Sequence, residues 1–125
     1  MLDAYDRILE RVKPGTRLKT PDEKVGAPFT VDALDAEGLD VRTNRGGKLR
    51  ISLFTFETAM KFLADRGHTG DRWLPVKDEE FQMLLNMEND RVRAASYVLA
   101  ILGAAGLIDV DGGRPNKVRI AAPKA

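Results

Sequence analysis

Apolar side chains at Leu2, Tyr5, Ile8, Leu9 and Val12 recur every three or four residues, which predicts an amphipathic helix over residues 2–13. Pro14-Gly15 stops it. The period then changes. Thr16 to Thr20 reads as a short strand and Pro21 to Pro28 as a loop. Phe29, Val31 and Ala33 alternate with polar partners, as a half-buried strand requires. Glu37-Gly38 makes a turn, and Leu39 to Thr43 a second strand. Asn44-Arg45-Gly46-Gly47 tolerates the positive φ of a hairpin turn before a third strand, Leu49 to Leu53. The first half is therefore a helix followed by a three-stranded antiparallel meander.

From Thr55 the helical period returns. Thr55 is the expected cap of a helix running to Arg66, with Glu57 near its positive end and Phe56, Ala59, Met60, Phe62 and Leu63 inside. Gly67 ends it. Arg72 to Val76 reads as a short strand. Asp78, Glu79 and Glu80 open the next helix, with acids at its positive end, and Asn89-Asp90 breaks it. The last helix runs from about Arg91 to Ala105 and is closed by Gly106. Leu107 to Val110, a loop rich in glycine and polar residues, and Lys117 to Ala121 complete a hairpin. The fold class is α+β, with residues 1–54 and 55–125 as two small halves that can share one core.

The order of helix, strand, two helices, strand, loop and strand over residues 55–121 resembles the winged helix-turn-helix family. The resemblance implies that residues 91–105 are a recognition helix and Asp111–Asn116 a wing, and that the ligand is nucleic acid. Within that helix, Val92, Ala95, Val98, Leu99, Ile101, Leu102 and Ala105 form a docking face. Arg93, Ser96, Tyr97 and Ala100 share the other face by their spacing. Arg91, Arg93, Ser96, Tyr97, Arg114 and Lys117 are the expected contacts to phosphate or groove. The helix carries few polar side chains, and Asp109 and Asp111 beside the wing would repel phosphates. Both features count against base reading and suit either a weaker, backbone-only contact with duplex DNA or a winged helix used for protein contact.

Charge adds a second candidate surface. The net charge of the 125 residues is only +1, but residues 41–50 hold Arg42, Arg45, Lys48 and Arg50 with no acid. Residues 91–125 carry an excess of four positive charges, while residues 1–40 and 51–90 are net acidic. Two local concentrations can make one basic patch if they lie on one face. Arg42, Arg45 and Lys48 are thus secondary candidates, around a Gly-Gly tip without the interleaved aromatics that stack single-stranded bases.

Other chemistry finds little footing. There are no cysteines, which excludes disulfides and thiolate ligands and fits a cytoplasmic protein. No stretch reads as a signal peptide or membrane span. The lone His68 lies between glycines as a solvated loop residue, and no metal or cofactor is expected. Pro21-Asp22-Glu23-Lys24 reads as a turn and Asp78-Glu79-Glu80 as a helix start. No phosphate loop or nucleophile elbow is present. The single tryptophan, Trp73, is expected to anchor the junction of the halves. The leading expectation is a non-enzymatic, cytoplasmic nucleic-acid-binding protein or accessory subunit. The alternative is a protein-interaction module or a homodimeric subunit of a larger complex, motivated by the apolar surplus of helix 91–105.

Overall fold

The computed structural model of the chain describes residues 3–21, 27–89, 94–111 and 117–121. Among them are four helices and two antiparallel sheets, an α+β fold. Helix α1 spans Asp3–Arg11. Strands β1 (Arg17–Lys19), β2 (Pro28–Asp35), β3 (Gly38–Thr43) and β4 (Lys48–Ser52) follow, joined in that order in one sheet. The expected three-stranded meander thus gains a fourth strand. The Thr16–Thr20 segment is not a separate piece of extended chain; it pairs with β2, Leu18 lying opposite Phe29. The β2–β3 turn is Ala36–Glu37, and Gly38 opens β3. A Cβ on Gly38 would sit 2.4 Å from the Ile51 carbonyl oxygen, so only glycine lets β3 approach β4 this closely.

Strand β4 runs straight into helix α2, Leu53–Asp65. Its cap is Ser52 rather than Thr55: the Ser52 hydroxyl accepts from the Phe54 N–H at 3.2 Å. Gly38 pairs with Ser52, so the sheet ends there and the helix starts one turn earlier than expected. Thr55 is instead fully buried inside the helix. Glu57 serves a neighbouring helix, its carboxylate accepting from the Tyr5 N–H of α1 at 2.8 Å. Negative charge at a free N-terminal N–H is favourable, so α2 caps α1 from the side. The Tyr5 ring packs against Phe56, and its hydroxyl donates to the Asp35 carbonyl at 2.8 Å. Burial, then the negative Asp35, pushes the Tyr5 hydroxyl up to about 12.

Strand β5 (Leu74–Pro75), helix α3 (Glu79–Glu88), helix α4 (Ala95–Ala104) and strands β6 (Ile108–Asp111) and β7 (Lys117–Ile120) complete the described elements. Asp78 caps α3, accepting from the Phe81 N–H at 3.0 Å. The second sheet has the order β5-β7-β6, so the strand between α2 and α3 joins the C-terminal hairpin. Sequence order alone does not require that pairing.

A helix that is apolar on almost every side must be covered over most of its surface, and in α4 only Ala104 is exposed. In α4, Val98, Leu99, Ile101 and Leu102 are fully buried, and Ala95 nearly so. Tyr97 meets Phe29 of β2 edge to face, with ring centroids 5.0 Å apart. On another side Gly103 makes room for Val110: a Cβ there would come within 3.3 Å of the Val110 methyl. At the C-terminal end the Arg11 guanidinium of α1 donates to the Ala105 carbonyl at 2.6 Å, a cation where the helix leaves its carbonyls unpaired. Gly106, at φ 76°, then reverses the chain into β6. Buried apolar residues from α1, the first sheet, α2, α3, α4 and the second sheet form one cluster. The two halves share a core.

Asn89, 5% exposed, ties α3 to the first sheet. Its Oδ1 accepts from the Ser52 N–H at 3.0 Å and from the Thr55 hydroxyl at 3.3 Å, and its Nδ2 donates to the Arg50 carbonyl at 3.1 Å. Asn89→Ala strands two donors and an acceptor at the β4–α2 junction, and we expect a loss of about 3 kcal/mol in denaturant unfolding. A loss below about 0.5 kcal/mol, the range of an inert surface change, would show that the junction holds without it. For Tyr5, a raised folded-state value means that the neutral hydroxyl contributes fully below its ordinary value of 10.0 and loses that contribution as pH rises toward about 12. Tyr5→Phe is expected to cost about 1 kcal/mol at neutral pH and to remove this alkaline loss. Unfolding curves of both proteins between pH 8 and pH 12, run side by side, read the difference.

Candidate nucleic-acid interface

The first sheet has an inner and an outer face because its residues alternate. Phe29, Val31 and Val41 point inward and are buried. Thr30 and Arg42 therefore point outward. The register extends that outward row across the whole sheet: Arg17 lies opposite Thr30, Thr30 opposite Arg42, and Arg42 opposite Lys48. With neighbouring strands about 4.8 Å apart, the row from Arg17 to Lys48 spans roughly 14 Å. Lys19 follows two residues after Arg17 on the same face, opposite Pro28.

The strand directions bring more charge to this end. The β3–β4 turn continues beyond Thr43, which pairs with Phe29 near the start of β2, and β1 ends beside that start. Arg45 and Lys48 thus lie at the end of the sheet where β1 finishes. The turn is set by the Thr43 N–H donating to the Gly47 carbonyl at 2.8 Å and by Gly46 at φ 84°. Helix α4 also begins at this end, since Ala94, Ala95, Ser96 and Tyr97 line a groove with Thr20 and Ala27.

Acids divide the outer face unequally. Asp32, at the irregular register step between Val31 and Ala33, accepts from Arg42 Nε at 3.1 Å. At the opposite end of the sheet Arg50 is held by Asp35 at 2.8 Å and by Asp40 at 3.4 Å. The Glu37 N–H, followed by the Arg50 guanidinium, holds the Asp35 carboxyl below its usual range. That end is neutralised. At the hairpin end, Arg17, Lys19, Arg45 and Lys48 are exposed and make no ion pair among the described residues.

The expected contacts of the second half meet different fates. Arg91, Arg93 and Arg114 lie outside the described residues. Ser96 and Tyr97 are half-buried, Ser96 on the groove that Thr20 and Ala27 also line and Tyr97 against Phe29 of the first sheet. Their side is therefore not the open face that its polar spacing suggests. Lys117 approaches Asp111 at 3.7 Å and lies 5.4 Å above the Trp73 ring. Asp109 and Asp111 are not unopposed repellers of phosphate. The register sets Asp109 against Arg119, at 3.0 Å, and Asp111 against Lys117.

Trp73, expected to anchor the junction of the halves, packs against the C-terminal hairpin, with the Arg119 guanidinium 4.2 Å above its ring. His68 departs from the expected solvated loop residue. It is half-buried, its ring is parallel to that of Phe62 at 6.4 Å, and its Nδ1 lies 3.1 Å from the Arg72 carbonyl. No group of three or more potential metal ligands occurs among the described residues. No described helix is long and apolar enough to cross a membrane.

Arg17 and Lys19 were not singled out by sequence because neither lies in a basic run. Their signal is the register, which sets Arg17 two strands away from Arg42. No known protein family, curated protein or solved structure matches the chain.

Proposed function

We propose that this chain is a small cytoplasmic nucleic-acid-binding protein, or the accessory subunit of one, without catalytic activity. It grips the backbone of duplex DNA with the outer face and hairpin end of the first sheet. The observation that carries this reading is the cross-strand row of Arg17, Arg42 and Lys48, extended by Lys19 and Arg45. Among the described residues, Asp32 pairs with Arg42 on this face, and Asp40, which shares a groove with Lys48, is held by Arg50. A fixed array of cations suits phosphates, which attract without regard to base sequence. Among the described residues the face offers no aromatic ring on which an unpaired base could stack, which favours duplex over single strands.

In this reading the second half is a winged-helix-like scaffold. Its element order and the pairing of β5 with the hairpin support that description. Its central helix α4 serves as core, so the basic sheet takes over the contact that a recognition helix would make. Arg91, Arg93, Arg114 and Lys117, the contacts that the element order suggests, are additional candidates.

Counterion release provides the test. The logarithm of the affinity for a mixed-sequence 20-base-pair duplex is expected to fall linearly with the logarithm of salt concentration. Arg17→Gln/Lys48→Gln should reduce that slope by about 2, one for each lost phosphate contact. Fluorescence anisotropy from 50 to 300 mM salt measures it. A slope near zero in the native protein removes the reading. A slope unchanged in the double variant but lowered by Arg93→Gln/Arg114→Gln/Lys117→Gln moves the contact from the sheet to the second half.

A further inference from the structure

Helix α3 carries apolar side chains that its own fold leaves uncovered. Met83 is 62% exposed, Met87 65% and Leu84 36%, whereas Phe81 and Leu85 fill the core. Residues four apart stack along a helix, which gives two outward ridges: Glu79-Met83-Met87 and Glu80-Leu84-Glu88. Apolar side chains therefore occupy the middle of the surface, with acids at both ends. Methionine is unbranched and polarisable, and it adapts to varied partners on binding surfaces. Exposed apolar residues that cluster, rather than scatter, mark interaction sites.

The charges select the occupant. Helix α3 has three glutamates and no basic residue. Arg66, the residue that follows α2, pairs with Glu80 and leaves Glu79 and Glu88 at the two ends of the surface. A second copy packing its own α3 here about a two-fold axis would bring glutamates against glutamates. In an antiparallel pair residues 79 and 80 approach 88, and in a parallel pair each meets itself. Nucleic acid and anionic membranes are repelled for the same reason. A helix with an apolar stripe and lysines or arginines beside it satisfies both the methionines and the acids.

We infer that the outer face of α3 is the docking surface for a basic amphipathic helix of another protein, with Met83, Leu84 and Met87 as the apolar seat and Glu79 and Glu88 as the charged clamps. The surface is independent of the basic sheet, and its occupation does not require that the chain bind DNA.

Two fluorescein-labelled synthetic helical peptides test it against the full chain. Both carry leucines at i, i+3, i+4 and i+7; one is flanked by lysines, the other by glutamates. We expect the lysine peptide to bind at least tenfold more tightly. Met83→Ser/Met87→Ser should weaken it at least tenfold, and Glu79→Lys/Glu88→Lys should reverse the preference between the peptides. The four positions are exposed, so thermal melting of the variants should match the native protein, which separates lost binding from lost folding. Equal affinity for both peptides overturns the inference, as does lysine-peptide binding that survives the methionine substitutions. So does a homodimer, seen by sedimentation equilibrium, that Met83→Ser/Met87→Ser dissolves.

Discussion

A ten-residue helix with almost no polar side cannot stand at the edge of a protein, and α4 is such a helix. Its sequence, ASYVLAILGA, demands cover over most of its surface, and only Ala104 stays exposed. The first sheet supplies it through Phe29, the C-terminal hairpin through Val110, and the helices through the shared cluster around Leu99 and Leu102. The remaining architecture follows. The two sheets lie around one helix, and polar groups fix the joints: Arg11 at the carbonyl end of α4, Asn89 between α3 and the start of α2, and Glu57 at the start of α1. Hydrophobic burial is non-directional, so it brings these surfaces together without dictating their alignment. The joints supply the alignment.

Much of this fold is legible in sequence where periodicity and turn chemistry agree. The β3–β4 hairpin follows from Asn44-Arg45-Gly46-Gly47, the end of α4 from Gly106, and the start of α3 from Asp78. The misplaced start of α2 shows where such reading fails. Both Ser52 and Thr55 are competent caps. The choice is made by a long-range pairing, Gly38 with Ser52, that no local window contains. Gly103, which looks like a weakness inside a helix, is explained only by the approach of Val110 from the following strand.

The candidate interface was legible in part, for the same reason. Arg42, Arg45 and Lys48 stand out as a basic run. Arg17 becomes their companion only once β1 is registered against β2. Conversely, the spacing of Ser96 and Tyr97 identifies a common face of α4 but says nothing of what lies opposite, and here it is the first sheet. Asp109 and Asp111 look isolated in the sequence, and their partners Arg119 and Lys117 lie across the hairpin. Charge counts along a chain become a surface only after register has decided which charges cancel.

The contact between Arg11 and the Ala105 carbonyl joins residues 94 positions apart, and it has a consequence for how the chain is made. Synthesis runs from the N-terminus, at about 5–20 residues per second. The inner face of the first sheet, with Phe29, Val31 and Val41, is complete long before α4 emerges to cover it. For several seconds the part of that surface around Phe29, which Tyr97 covers in the finished fold, stands open on the nascent chain. A chain interrupted before residue 105 lacks both the ring that covers Phe29 and the carbonyl that Arg11 reaches, and it presents those surfaces to chaperones and proteases.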